Sequence, residues 1–438
     1  MTKMLHMAYF SQAGNGNGNR AGSWTKTTSG YDWRYPELHQ DIARAAERAK
    51  FDMIFYADAI AAPMVYGNGY DHYARAGIMM PVHDPIPIMG VIAAATTRIG
   101  MVSTLSTSFY PPFMAARVLA TLDHLSRGRM GWNIVTSVQK NAAQNLGLDD
   151  LPPHDTRYDI AEEYLDLCRR LWDSWEPDAL VMDRVSGMMA DPSKIHAVNF
   201  KGDHFSSRGP LNISSSPQGH PVIASAGQSP RAIRFAGKQS EVTIFAKRTV
   251  PEIKAFTSEV RAQAEAAGRD PRSCKIFNVI QPFIGETDSI AKERYQAFLE
   301  GIKVESVLAS MSDGLGFDLS TFDVNQPIPP ETFEVSNAMP HVFRHYYQDG
   351  KNPTLGEIAR DIMGKYLLTP VGTPEHVLDI MEETARDGDL DGFFLEYAIN
   401  DYAAFVEFVD KVVPEAQRRG LMRRDYSGTT LRHHLNEF

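Results

Sequence analysis

The chain has 438 residues, 43% of them hydrophobic and 22% charged, with a formal net charge of −10. That hydrophobic share supplies a substantial core and excludes global disorder; the acidic balance, with no basic run beyond Arg418-Arg419 and Arg423-Arg424, argues against a nucleic-acid surface and leaves those arginines on solvated faces. Two cysteines, Cys168 and Cys274, form no CxxC pair, no apolar stretch is long enough to span a membrane, and no apolar segment follows the basic start, so neither disulfides, a zinc or other metal site nor a membrane segment is indicated and the expected compartment is the cytoplasm.

In chain order, apolar runs of strand length at 4–10, 53–57, 99–105, 130–135, 222–226, 242–246, 275–283 and 392–396 alternate with segments of helical period at 36–50, 85–96, 112–126, 158–174, 229–237, 251–267, 288–302 and 373–387. A last helical segment covers 403–419. Eight strand–helix units predict an α/β fold, a (β/α)8 TIM barrel in which 1–438 form one domain. The alternation breaks at about 59–84, 176–220 and 306–365, which read as insertions. In such a barrel the connections that follow strands build the site at the C-terminal face; the first and third breaks follow strands, and the second lies beyond a helix.

Behind the first strand, the segment from Gln12 to Arg20 holds Gly14-Asn15, Gly16-Asn17 and Gly18-Asn19. No apolar helix opens behind it, so it is a strand-end loop and not a phosphate fingerprint. Asp58 follows the second strand, where a carboxylate at a C-terminal strand end either accepts from the N–H groups of a bound heterocycle or caps the next turn. His83, ahead of Asp84-Pro85, is a catalytic candidate facing the mouth, with a structural role as its alternative. Thr104 and Asn133 are polar residues embedded in apolar strands and require partners. Tyr56, Trp24 and Trp132 shape an aromatic pocket or belong to the core; Met64, Met79, Met80 and Met89 suggest an adaptable apolar wall. His433-His434 is expected in solvent.

Pro153-His154-Asp155-Thr156-Arg157-Tyr158 places an imidazole, a guanidinium and a phenol at a helix start. All three can donate to a phosphate, or Asp155 or Thr156 simply caps the helix. The most informative stretch is Ala224-Ser225-Ala226-Gly227-Gln228-Ser229-Pro230. Ser229 suits an N-cap, Pro230 the first helical position, and Gly227 a close backbone approach; free N–H groups and a helix dipole at such a turn favour a phosphate, although an ordinary capped turn has the same pattern. No Ser-His-Asp order and no HExxH motif stands out, so the chemistry falls to a cofactor.

A long ordered set of motifs resembles one family. It runs through Leu122-Asp123-His124-Leu125-Ser126-Arg127-Gly128-Arg129, Gly131-Trp132-Asn133-Ile134-Val135-Thr136-Ser137, His154 to Tyr158, Arg208-Gly209-Pro210-Leu211-Asn212, Ser216-Pro217-Gln218-Gly219 and Pro221-Val222-Ile223 to Ala226-Gly227-Gln228-Ser229. These resemble the bacterial luciferase-like flavin monooxygenases, and within them the branch of nitrilotriacetate, EDTA, dibenzothiophene-sulfone and long-chain alkane monooxygenases. The resemblance implies a (β/α)8 barrel that takes reduced FMN from a separate NAD(P)H:flavin reductase, uses O2 as co-substrate and oxidises a small organic molecule through a flavin peroxide. It also implies a homodimer or homotetramer. Carried over by motif, Asp58, Thr104 and Asn133 lie beside the isoalloxazine ring, Thr104 and Asn133 also as catalytic candidates, and His154, Tyr158, Gly227, Gln228 and Ser229 hold the ribityl phosphate. The chain departs from the family at Ser23-Trp24-Thr25-Lys26-Thr27, where members often carry Trp-Arg-His-Pro, and at Ser310, where the alkane monooxygenase has a histidine. The expected substrate is a medium-sized heteroaromatic or organosulfur compound, hydroxylated or cleaved. The alternatives are a deazaflavin-dependent hydride-transfer enzyme and a non-catalytic flavin-binding protein.

Overall fold

The computed structural model describes residues 4–14, 32–329, 346, 351–365, 367–397 and 401–438. The short apolar runs pair in parallel with their neighbours in sequence, and the last pairs with the first, so β1 (His6–Gln12), β2 (Met53–Ala57), β3 (Gly100–Ser106), β4 (Met130–Val135), β5 (Val222–Ala226), β6 (Val242–Phe245), β7 (Lys275–Ile280) and β8 (Gly392–Glu396) form a closed barrel. This is the (β/α)8 architecture that the alternation predicts. Around it lie α1 (Pro36–Arg48), α2 (Pro85–Ala95), α3 (Pro112–Ser126), α4 (His154–Trp172), α5 (Pro230–Gln239), α6 (Val250–Ala266), α7 (Asp288–Glu300), α8 (Val304–Leu315), α9 (Leu355–Lys365), α10 (Pro374–Gly388) and α11 (Tyr402–Lys411). Proline at the first helical turn starts α1, α2, α3, α5, α6 and α10, where its missing N–H costs nothing.

Three boundaries differ from the sequence pattern for local reasons. The run 275–283 stops pairing in the barrel after Ile280, because Pro282 has no N–H to donate; Phe283–Ile284 pairs instead with Val371–Gly372. The segment 403–419 divides at Pro414 into α11 and the short helix Val413–Arg418. Helix α4 begins at His154, four residues before the apolar periodicity starts.

Strand alternation separates two cores. Ala8, Met53, Phe55, Val102, Val222, Ala224, Ile244, Phe277 and Phe394 fill the barrel, whereas Tyr56 and Trp132 point out into the helical layer. Trp132 donates its indole N–H to the Leu105 carbonyl at 2.9 Å and packs against Tyr164 and Trp172; Tyr56 meets His39 Nδ1 at 2.7 Å. Both therefore belong to the core and not to a pocket, and Trp24 lies outside the described residues.

The N-terminal end of the barrel is sealed by the C-terminal segment. Leu431 and Leu435 enter the interior core, and a Cβ on Gly100 would sit 2.4 Å from Leu431 Cδ1, so only glycine leaves room for the plug. His434 and Arg423 are buried there, which corrects the expectation that both face solvent; a polar tail gives no sign in the sequence of the distant partners that bury it. The insertion 176–220 lies toward this same end and forms two antiparallel hairpins, Leu180–Asp183 with Met188–Ala190 and Phe200–Lys201 with Ser206–Ser207. Its Gln218 bonds Asp123 and the carbonyl of Met130, the first residue of β4.

At the C-terminal end, the insertion after β2 and helix α8 meet over the mouth. Tyr73 Oη donates to the Ala309 carbonyl at 3.0 Å, the Gly67 N–H donates to Asp318, and Asn141 and Asn145 tie the connection after β4 to the carbonyls of Ala62 and Ile60. Met79 and Met80 pack with Tyr73, Ile78 and Ala309, and Met89 is buried in α2. Most of the Gly-Asn loop lies outside the described residues.

Candidate active site

One pole of the site is the turn between β5 and α5. Ser229 is the N-cap, its Oγ accepting from the Ala232 N–H at 3.2 Å, and Pro230 opens the helix. Among the described residues, the N–H groups of Gly227, Gln228 and Ser229 find no backbone acceptor. They stand beside the positive end of the α5 dipole, the physical basis of anion binding at helix starts. A Cβ at Gly227 would lie 2.7 Å from Ala232 Cβ and 3.3 Å from Tyr158 Oη, so the turn packs directly under the tyrosine hydroxyl.

The start of α4 supplies the facing side chains. His154 Nε2 lies 3.3 Å from Ser229 Oγ, and its Nδ1 meets Asp155 Oδ1 at 2.6 Å. The helix N-cap is Pro153 with no side-chain cap bond, so the reading of Asp155 or Thr156 as the cap fails and His154 and Tyr158 share the first turns. Burial pushes the Tyr158 hydroxyl above its ordinary pKa, so it remains a donor at neutral pH. Arg231 sits over the Tyr158 ring but is neutralised by Asp159 and Glu162, both at 2.8 Å. Gln228 Oε1 and Arg157 Nε are buried without a partner.

The second pole lies on the barrel wall. Thr104 and Asn133 are paired across β3 and β4, and Asn133 is in turn opposite Ala224 of β5, the strand that ends in the phosphate-type turn. Asn133 Nδ2 donates to Thr104 Oγ1 at 2.9 Å, while Asn133 Oδ1 is buried with no hydrogen-bond partner. A buried amide oxygen left unpaired costs about 1–3 kcal/mol, which a ligand N–H would recover. Asp58 follows β2, and burial together with nearby Asp84 pushes its carboxyl up to about 6. Asp58 and Asp84 also act on Tyr110, which follows β3.

His83 is exposed; its N–H donates to the Ala13 carbonyl at 2.7 Å and its ring stacks edge-on against Trp33. The fold thus gathers His154, Tyr158, Gly227, Gln228 and Ser229 into one cradle and Thr104 with Asn133 into a second cluster, with Asp58 and His83 at the rim. Sequence reasoning missed Tyr110, Gln139 and Asp313. Gln139 Nε2 approaches Asp313 Oδ2 at 3.5 Å, joining the connection after β4 to α8, and burial raises the Asp313 carboxyl above its ordinary range. An isolated acid in a helical insertion carries no spacing signal that would have revealed this. A separate cavity of about 190 Å³, lined by Gln281, Phe283, Arg294, Tyr397 and Glu407, shares no residue with either cluster.

A (β/α)8 barrel with a strand-end cradle of free backbone N–H groups beside a wall that carries an unsatisfied acceptor is the class of fold and site that the chain presents. The chain belongs to the luciferase-like monooxygenase family, whose profile matches residues 5–391, and is a flavin-dependent monooxygenase. It is 36% identical over 439 aligned positions to dibenzothiophene-sulfone monooxygenase of Rhodococcus erythropolis (strain XP), covering 99% of this chain and 96% of that protein. It is 35% identical over 428 positions to nitrilotriacetate monooxygenase component A of Aminobacter aminovorans, covering 92% of each. The solved structure of a riboflavin lyase with modified FMN and riboflavin superposes with a TM-score of 0.89 at 32% identity, covering 100% of this chain and 96% of that one.

Proposed function

We propose that the chain is the oxygenase of a two-component system, using O2 and reduced FMN delivered by a separate NAD(P)H:flavin reductase to oxidise a medium-sized heteroaromatic or organosulfur compound in cytoplasmic catabolism. The observation that carries this reading is the partnerless Asn133 Oδ1 on the strand beside the β5 turn. FMN has a ring imide N–H to satisfy that oxygen and a phosphate for the cradle. The word "component" in the nitrilotriacetate relative's name, and the modified FMN in the riboflavin lyase structure, support the two-component and FMN parts.

In this reading the N–H groups of Gly227 to Ser229, the Ser229 hydroxyl, His154 and Tyr158 hold the phosphate, and Asn133, Thr104 and Asp58 flank the ring. Reduced FMN, when bound, supplies the electrons that activate O2. The insertion after β2 and α8 exclude water from the mouth, and His83 is a rim candidate for proton handling. Substrate preference follows from charge: of the described cations near the mouth, Arg34 is tied to Asp32 at 2.6 Å and Arg75 is exposed in the insertion after β2, while Asp58, Asp84 and Asp313 supply more negative charge, which disfavours a polycarboxylate. Arg20 and Lys26 lie outside the described residues. The chain works as a homodimer or homotetramer; among the described residues no helix is long and apolar enough to cross a membrane.

The test is titration of FMN by fluorescence quenching. Wild type is expected to bind FMN, and Ser229→Ala with Tyr158→Phe to weaken it by about 1.5–3 kcal/mol for each hydroxyl that no longer reaches the phosphate. Unchanged affinity in the double variant would overturn the phosphate assignment. The same preparation, supplied with a flavin reductase, NADH and candidate sulfones and heteroaromatics, should incorporate one atom of ¹⁸O2 into product.

A further inference from the structure

The hairpin Leu180–Asp183/Met188–Ala190 stands out from the rest of the surface. Among the described residues, six of the fifteen exposed large hydrophobics lie within 180–189: Leu180, Val181, Met182, Val185, Met188 and Met189. Val185, at the tip, is 99% exposed, Met189 63% and Met182 59%, and both strands are exposed along most of their length, so neither face of the hairpin packs on the barrel.

The hairpin is nevertheless built to hold its shape. Asp183 accepts from the N–H groups of Val185 and Ser186 and from the Ser186 hydroxyl, fixing the turn that presents Val185. At the base, the Asp191 N–H bonds the Ala179 carbonyl at 2.8 Å, Lys194 pairs with Asp178, and the Trp175 indole bonds the Leu211 carbonyl at 2.7 Å. A two-stranded hairpin gains little stability by itself in water, and an ordered one that displays apolar side chains on both faces is suited to being covered.

We propose that this hairpin is the surface through which a second copy of the chain docks. The six residues are 39–99% exposed and together present several hundred Å², on the order at which an exposed apolar patch marks an interaction site and of the roughly 800 Å² that each partner buries in a stable interface. The geometry favours self-association. Each hairpin has an open backbone edge, and two such edges related by a two-fold axis pair as antiparallel strands, extending two strands to four. The apolar stretch contains Asp183, which is consumed in the turn, and Arg184, so it offers no charge pattern that would select a differently charged partner.

This inference rests on the oligomer part of the proposed function and is independent of the flavin chemistry. The experiment is light scattering on the full-length protein over a hundredfold concentration range, with Val185→Asp/Met189→Asp as the breaking variant and Val185→Ile/Met189→Leu as the conservative one. The expected result is a wild-type dimer or larger assembly, an unchanged conservative variant, and a breaking variant with one chain's mass, while the melting temperature and FMN affinity stay at wild-type values. A breaking variant that keeps the wild-type mass overturns the assignment of the hairpin and leaves the oligomer standing. A monomeric wild type overturns both. Loss of reductase binding by the breaking variant at unchanged mass assigns the hairpin to the reductase and overturns the proposal. FMN binding, read separately, fails or holds on its own.

Discussion

Strand β2 is bracketed by two aspartates whose surroundings differ in kind. Asp52 precedes it at the sealed end of the barrel, where it accepts from the Met7 N–H at 2.8 Å and pairs with His6 at 2.9 Å and Arg423 at 2.5 Å. Burial alone would raise its carboxyl, yet His6, Arg423 and the hydrogen bonds hold it below the ordinary range. Asp58 follows the strand at the open end, where burial and Asp84 raise it to about 6 and, among the described residues, no cation offsets them. One end spends its polar groups on each other; the other leaves Asn133 Oδ1 unpartnered and the Asp58 carboxyl raised, which the proposed function assigns to a ligand. In a barrel of this class, the sealed end carries stability and the mouth carries chemistry.

The largest effect should come from breaking the sealed end. Arg423→Ala leaves Asp52 buried beside one partner and should cost about 3–5 kcal/mol, read from urea unfolding at pH 7. Asp58→Ala removes a strained charge and should cost little or stabilise. A cost at Arg423 no greater than that at Asp58 would refute the division of labour.

The two ends should also respond to pH in opposite directions. Burial lowers His434 at the sealed end to about 4 from an ordinary 6.5, so its neutral form is favoured on folding. Its contribution is intact above about pH 6.5 and is lost as the pH falls toward 4. Asp58 has the reverse sign. Its folded pKa lies above the ordinary 3.8, so ionisation penalises the folded state and stability declines as the pH rises from about 4 to 6. Each amounts to at most about 3 kcal/mol by linkage. Melting temperatures across pH 4–8 should show Asp58→Asn more stable than wild type at pH 7–8, converging with it near pH 4, and His434→Asn should flatten the acid limb. Parallel curves for wild type and Asp58→Asn would rule out a raised Asp58.

How far each end can be read in the sequence follows from the range of its interactions. The β5 turn is legible because its cap, its proline and its glycine are consecutive, and Thr104 and Asn133 because a polar residue inside an apolar strand demands a partner. The sealed end is not. Asp52 meets Arg423 across 371 positions, and a tail rich in arginine and histidine has the composition of a solvated surface until the barrel supplies what it plugs. Asp313 escapes for the same reason, since only the packing of α8 against the connection after β4 brings it to Gln139. Apolar periodicity places the start of α4 too late because the first turn of that helix is polar, and the polar turn is the one that faces the cradle.

The smallest effect on stability should come from Asn133, the residue on which the proposed FMN site most depends. Asn133→Ala removes the hydrogen bond to Thr104, worth about 1 kcal/mol, but also removes the unpaired Oδ1, whose burial costs a similar amount. The two nearly cancel, so the urea midpoint should shift by less than that of any sealed-end variant. FMN affinity should nevertheless fall about tenfold, because the ligand N–H is left without its acceptor in a site that excludes competing water. Asn133→Asp sharpens the point, because it keeps an acceptor oxygen at that place and should bind FMN better than the alanine variant does. If Asn133→Ala instead destabilised the fold by several kcal/mol with FMN affinity unchanged, Asn133 would belong with Asp52 as a structural group, and the contrast between the two ends of the barrel would fail at the residue on which it most depends.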